Sequence, residues 1–309
     1  MKKKIALVSI NKDQLKILKK TFKNIDFDLI NKIQNIHKYN AIISFSHDII
    51  HNFIINENFL KYPKLEWVHL SIAGVEEYTN YIQKTDVKFT CGKIIQGSNV
   101  SEHALAMLLY LTRLNSDSNG KYFTAPTILQ NKKVLIYGLG GIGLSIAQKC
   151  FSFGCKIYSV SNSIKPNLNF IEKNYTNKSF INDLDKFDII FIAAPLTSRT
   201  QNYFDYKLMN KIKKGSYLIN ISRGKILNTD DLIKLLNKNK FTAVGLDVLD
   251  TEPIPKKHPL KRYKNVLLTN HTAGMGSDKN ERFNLILMNI ENFINGKKLN
   301  NIVSKKYEY

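Results

Sequence analysis

Three side chains suited to acid–base and carboxylate chemistry stand at matching places in this sequence. Arg223 follows an apolar run that ends at Ile221, Glu252 follows one that ends at Val248, and His271 follows one that ends at Thr269. An arginine guanidinium forks onto a carboxylate, so Arg223 can hold and polarise a 2-oxo acid. An imidazole can give a proton to a carbonyl oxygen as hydride arrives, which suits His271. A carboxylate such as Glu252 orients an imidazole and favours its protonated form. Each residue alone has an ordinary reading as a solvated loop side chain. In a doubly wound parallel sheet, however, ligands bind beyond the carboxyl ends of the strands, and there the three would converge.

The partner for that chemistry is written upstream. Val134–Tyr137 runs directly into Gly138-Leu139-Gly140-Gly141-Ile142-Gly143. Leu144 to Phe153 then reads as a helix and Lys156–Val160 as the next strand. Strand, glycine turn, helix and strand make a dinucleotide-binding fingerprint from what would otherwise be a weak glycine pattern. Gly138 permits the tight turn, Gly140 lets the backbone approach a pyrophosphate, and Gly143 allows close helix–strand packing. The helix N-terminus adds free N–H groups and the positive end of a dipole.

The elements that must carry these residues alternate along the whole chain. Before the fingerprint, strands are expected over 4–10, 41–45 and 67–70, with helical spacing over 13–22. After it, strands are expected over 188–194, 215–221, 242–248 and 265–269. Helices are expected over 206–212 and 230–237, the latter capped by Thr229 or Asp230. Alternating strands and helices imply parallel sheets covered on both faces, and 309 residues suffice for two domains with full cores.

Composition narrows the class. There are 46 Lys and Arg against 25 Asp and Glu, a net charge of +21. These charges are scattered singly and in pairs among Asn and Ile. That pattern fits a general compositional drift better than a nucleic-acid or membrane surface, although it can steer anionic ligands. Three cysteines, Cys91, Cys150 and Cys155, form no paired motif, so neither a disulfide framework nor a structural metal is expected. No apolar run has the length of a signal core or a membrane span, and a soluble, cytoplasmic protein is expected.

These motifs together resemble the D-isomer-specific 2-hydroxyacid dehydrogenases over nearly the whole chain. The segments 218–224, 245–253 and 265–274 are similar to that family's arginine, glutamate and histidine segments, with separations of 29 and 19 residues. Ala73-Gly74-Val75, the 100–105 segment Val-Ser-Glu-His-Ala-Leu and the 194–200 segment add further matches. The resemblance implies an α/β fold of two doubly wound parallel-sheet domains, a Rossmann dinucleotide-binding domain inserted into a flavodoxin-like substrate domain. The substrate domain would comprise residues 1–97 and 275–309, the latter a helix from about 277 to 295 and a tail, and the cofactor domain residues 98–274, with a hinge at the two crossings.

The resemblance also implies roles. Arg223, Glu252 and His271 would be catalytic, and backbone N–H groups of Ala73, Gly74 and Val75 would hold the substrate carboxylate together with Arg223. Asp247 would meet the nicotinamide carboxamide, Pro195 would wall the adenine side, and Thr200 and Ile221 would join the cofactor contacts. The apolar helix over 100–111 fits a homodimer face and an ordinary core equally. Asn270 replaces the family's usual proline before the histidine, which would loosen that loop.

A larger departure lies at the end of the second cofactor strand. NAD-specific members carry an acid there, whereas this chain has Ser161, followed by Asn162, Ser163 and Lys165. A neutral cluster with a nearby lysine does not repel a 2′-phosphate, so NADP(H) is expected to be slightly preferred over NAD(H). The expected function is reduction of a small 2-oxo acid, glyoxylate or hydroxypyruvate, to the D-2-hydroxy acid. Alternatives are a D-lactate or other D-2-hydroxyacid dehydrogenase, a short phosphoglycerate dehydrogenase and, from another class, a nucleotide-sensing corepressor-like binding protein. Formate dehydrogenases of this superfamily carry glutamine where Glu252 stands.

Overall fold

A computed structural model describes residues 2–33, 35–56, 61–93, 97–161, 168–276 and 279–309. The chain divides into two compact units, residues 1–95 with 278–309, and residues 96–277.

In the first unit, β1 (Lys3–Val8), β2 (Ile25–Ile30), β3 (Ala41–Ser44), β4 (Trp67–Leu70) and β5 (Lys88–Cys91) form a parallel sheet in the order β2-β1-β3-β4-β5. Its helices are α1 (Lys12–Thr21), α2 (His47–Asn56), the short α3 (Thr79–Ile82) and, at the far end of the chain, α8 (Lys279–Ile294). Side chains alternate across a strand, and β1 divides its residues accordingly. Ala6 and Val8 pack with Ile50, Phe53 and Tyr78, while Ile5 and Leu7 pack with Phe283, Ile286 and Ile290 of α8. The C-terminal helix therefore completes the core that the first hundred residues begin.

In the second unit, α4 (Gly97–Leu109) precedes β6 (Lys133–Tyr137), α5 (Gly141–Ser152), β7 (Lys156–Val160), β8 (Ile171–Tyr175), β9 (Ile189–Ile192), α6 (Tyr206–Lys211), β10 (Ser216–Asn220), α7 (Thr229–Asn237), β11 (Phe241–Leu246) and β12 (Val266–Leu268). The strands form a seven-stranded parallel sheet in the order β12-β11-β10-β9-β6-β7-β8. Strand order reverses between β6 and β9, the place where such sheets open a ligand crevice. One face packs against α4 and α5 through Val134, Ile136, Phe191 and Ile219, and the other buries Leu135, Ile190, Leu218 and Val244.

The expected elements are present, with two corrections. The cap of α7 is Asn228, whose side chain accepts from the Asp231 N–H at 3.0 Å, rather than Thr229 or Asp230. Asn is among the best N-cap residues, and Thr229 already lies inside the first turn. Helix α4 is described from Gly97, earlier than expected; a Cβ on Gly97 would stand 3.3 Å from the Gly141 carbonyl oxygen, so the bare α-carbon lets α4 lie close to α5. Strands β2, β5 and β8 were not foreseen. Cys91, Cys150 and Cys155 are buried and free, and no helix among the described residues is long and apolar enough to cross a membrane.

Candidate active site

The glycine turn leaves β6 and enters α5 through three glycines with different duties. Gly138 has φ +104°, and a Cβ on it would lie 2.5 Å from the Ala194 nitrogen, so it brings the turn against the end of β9. A Cβ on Gly143 would overlap the Gly138 carbonyl oxygen, so this glycine lets the helix start press on its own strand. Gly140 is exposed, and nothing lies within 4 Å of where its Cβ would be. A dinucleotide pyrophosphate fits such a cradle, because backbone at a helix N-terminus can approach it without a side chain between. The Leu139 and Ile221 side chains belong to the apolar core, leaving only their backbone for a cofactor. Gly141 and Ile142, partly exposed, open α5.

At the end of β9, Pro195 is exposed. Thr200 is not: its hydroxyl donates to the Pro195 carbonyl at 2.7 Å and accepts from the Thr197 N–H at 2.8 Å. Thr200 thus shapes the turn that presents Pro195, beside the cofactor contact expected of it. Ser161 directly follows β7, and its N–H donates to the Tyr175 carbonyl at 3.1 Å, setting its place beside β8. Asn162, Ser163 and Lys165 lie outside the described residues.

The strongest pairing is between His271 and Glu252. His271 Nδ1 lies 2.7 Å from Glu252 Oε2, while Glu252 Oε1 accepts from the Leu249 N–H at 3.1 Å. Both side chains remain partly exposed, 46% and 34%. The pair therefore adds little to stability, and what it supplies is orientation. With Nδ1 committed to the carboxylate, Nε2 is the ring atom available to a substrate.

His271 itself has φ +53°, an uncommon conformation for a residue with a side chain. Asp247 maintains it. The Asp247 carbonyl accepts the His271 N–H at 2.7 Å, Oδ1 accepts the Thr272 N–H at 2.9 Å, and Oδ2 accepts the Ala273 N–H at 3.1 Å. Oδ1 also takes the Thr269 hydroxyl at 2.6 Å, and His103 Nε2 stands 3.3 Å away. Asp247 is 1% exposed. The Asp247 carboxylate thus organises the histidine loop, beside the role expected of it toward the carboxamide. This tethering also answers the departure at Asn270, because the loop is held by Asp247 on the residues just after it.

Arg223 leaves β10 through a tight arrangement. Asn220 is 1% exposed; its amide donates to the Arg223 carbonyl at 3.0 Å and its Oδ1 accepts the Ser222 N–H at 3.1 Å. One guanidinium N–H bonds the Ser222 carbonyl at 2.8 Å. A Cβ on Gly224 would overlap the Leu249 carbonyl carbon, so the residue after Arg223 touches Leu249, whose N–H binds Glu252. The arginine segment and the glutamate segment are thereby locked together. His103, Thr269 and Asn220 were not singled out by role; their one signal was a polar side chain within an otherwise apolar helix or strand.

In the first unit, Ala73, Gly74 and Val75 follow β4. Val75 is buried at 3% and its carbonyl accepts the Tyr78 N–H at 2.9 Å.

Comparison with known proteins decides the family. Residues 104–273 match the family model described as D-isomer specific 2-hydroxyacid dehydrogenase, NAD binding domain. The chain belongs to the D-isomer specific 2-hydroxyacid dehydrogenase family. Among curated members, a glyoxylate reductase of Thermofilum pendens is 33% identical over 52% of this chain and 48% of its own length. A glyoxylate/hydroxypyruvate reductase of Arabidopsis thaliana is 29% identical over 77% and 78%. An uncharacterised protein of Corynebacterium melassecola is matched over 56% of its length. The chain thus spans about half the length of some of the curated relatives it matches. A family member from Xanthobacter autotrophicus, solved with NADPH and MES, superposes with a TM-score of 0.83 over 100% of both chains at 20% identity, a likeness of fold.

Proposed function

We propose that this chain reduces a small 2-oxo acid to the D-2-hydroxy acid with a nicotinamide cofactor, with glyoxylate and hydroxypyruvate as the substrate class. The observation that carries this reading is the 2.7 Å contact of His271 Nδ1 with Glu252, on the loops that follow the neighbouring parallel strands β11 and β12 of the sheet that carries the glycine turn. The bound nicotinamide supplies the hydride. His271, oriented by Glu252, holds a proton at Nε2 for the oxygen of the carbonyl being reduced. Arg223 binds the substrate carboxylate and polarises the carbonyl. In the first unit, backbone N–H groups of Ala73, Gly74 and Val75 are assigned to the substrate carboxylate as well. Gly138, Gly140 and Gly143, with the start of α5, hold the pyrophosphate.

NADP(H) is preferred slightly in this reading, because Ser161 places no acid where a 2′-phosphate would meet it. The named relatives favour glyoxylate or hydroxypyruvate, and the Xanthobacter protein was solved with NADPH. A cytoplasmic homodimer completes the proposal, supported by apolar side chains on the surface of the second unit: Leu114, Ile128, Phe151 and Phe153 are 64%, 68%, 51% and 46% exposed.

The deciding experiment is a panel of 2-oxo acids assayed with NADPH and NADH, for the parent and for Arg223→Ala, His271→Ala and Ser161→Asp. His271→Ala should lower kcat by roughly 10²–10⁴, the usual share of a placed general acid. Arg223→Ala should chiefly raise KM, and Ser161→Asp should shift preference toward NADH. Unchanged kinetics in the first two variants would refute the reaction, and a strong NADH preference indifferent to Ser161→Asp would refute the cofactor reading.

A further inference from the structure

A second cluster of ligating groups lies in the first unit, on the opening turn of α2 and the segment before α3. His47 and His51 stand four residues apart, so they share one face of α2. Their rings are 5.6 Å apart. His47 Nε2 is 3.2 Å and His51 Nδ1 is 3.0 Å from the Tyr78 hydroxyl, and Glu77 Oε2 is 3.5 Å from the same His51 nitrogen. One ligand atom from each of His47, His51 and Glu77 falls within 4.8 Å of the others. Donors held about 2.0–2.2 Å from a tetrahedral ion stand roughly 3.3–3.6 Å from one another, so only small side-chain movements separate this arrangement from a coordination shell.

Two independent features support a cation here. First, the far ring nitrogen of His47, Nδ1, lies 3.5 Å from Asp48 Oδ1, while Nε2 is the nitrogen that meets the cluster. Second, in a chain of net charge +21, three acids gather at this spot, Asp48, Glu76 and Glu77. The scaffold is also fixed in advance: Tyr78 is 1% exposed and packs in the core with Ile50, Phe53 and Ile54. His47, His51 and Glu77 are 46%, 33% and 64% exposed, which leaves access for an ion and for water to complete its shell.

We propose that His47, His51 and Glu77 bind one divalent transition-metal ion of the zinc class, which takes His47 Nε2 and His51 Nδ1 over from the Tyr78 hydroxyl. Two imidazoles and a carboxylate suit zinc, nickel or copper better than magnesium or calcium. The site belongs wholly to the first unit and does not depend on the reaction assigned to His271 and Arg223.

Zinc titrated calorimetrically into the full chain, stripped with chelator and free of an affinity tag, should bind once per chain with a Kd of roughly micromolar order. His51→Ala and Glu77→Gln should each weaken binding at least about tenfold, whereas His258→Ala and His271→Ala should leave it intact. Zinc should also raise the Tm of the parent but not of the His47→Ala/His51→Ala double variant, and cobalt(II) should show visible absorption in the parent alone. If the double variant does not fold, Glu77→Gln at its exposed position carries the same comparison. Absence of saturable one-to-one binding, binding undiminished in Glu77→Gln and His51→Ala, or loss in His271→Ala instead would overturn the proposal.

Discussion

With its Nδ1 2.7 Å from Glu252 Oε2, the His271 ring is held by that carboxylate, which leaves Nε2 for the proton assigned to it in the proposed reaction. Glu252→Gln keeps a hydrogen-bonding partner for Nδ1 whereas Glu252→Ala removes it, so kcat should fall further in Glu252→Ala than in Glu252→Gln. Equal kcat in the two variants would show that the contact does not position the ring. Asp247 gives a complementary case. Its bonds to three successive N–H groups at 271–273 hold the His271 backbone at φ +53°. Asp247→Asn would be expected to disturb loop geometry more than the charge of the site.

At the level of elements, the glycine turn separates packing from binding. Gly143→Ala would force a methyl group into the Gly138 carbonyl, where backbone cannot yield cheaply. A loss of about 1–3 kcal/mol or more is expected from such overpacking, read as a lower denaturant midpoint. Gly140→Ala meets no atom within 4 Å. It should cost under about 1 kcal/mol of stability yet weaken NAD(P)H binding about tenfold, a change of about 1.4 kcal/mol. Equal effects of the two substitutions on stability would contradict this division.

Strand β4 carries another testable element. His69 is 2% exposed, bonded to the Thr90 hydroxyl at 2.8 Å, and burial holds its ring down to about 4. The unfolded chain then takes up a proton near 6.5 while the folded one does not until about 4. This group costs nothing above the unfolded value, and stability is lost as pH falls from about 6.5 to about 4, by up to roughly 3 kcal/mol. The Tm of His69→Gln should accordingly drop less steeply than that of the parent between pH 7 and 4. Parallel curves would show that His69 is not buried neutral.

At the scale of the whole molecule, the second unit exposes Leu114, Ile128, Phe151 and Phe153, apolar side chains of the kind that subunit contacts cover. Sedimentation should find a dimer at micromolar concentration, and Ile128→Asp with Phe153→Asp should release monomers. A monomeric parent would remove the dimer from the proposed function.

What could be read from sequence and what could not follow one physical division. The glycines and the apolar strands β1, β3, β4, β6, β7, β9, β10 and β11 were legible because each depends on local chemistry: backbone room at Gly138, Gly140 and Gly143, or an apolar run for a strand inside its sheet. The edge strand β12 was legible from its run Val266-Leu267-Leu268, and Arg223, Glu252 and His271 as polar residues just past such runs. Strands β2, β5 and β8 sit at the edges of their sheets. Edge strands are half solvated and carry polar residues, as Ile171-Glu-Lys-Asn-Tyr175 does, so their apolar signal is weak. Side-chain commitments were hidden for a different reason. Nothing near Thr200, Asp247 or Asn228 in sequence shows that Thr200 bonds within its own turn, that Asp247 ties down a loop about 25 residues later, or that Asn228 outcompetes its neighbours as a cap. The His47–His51–Glu77 cluster is legible only as a helical pair until folding brings Glu77 beside it. Sequence by itself determined the order of elements and which residues could do chemistry. Tertiary structure alone decided which polar atoms meet, because a hydrogen bond needs its two partners within about 3 Å whatever their separation along the chain.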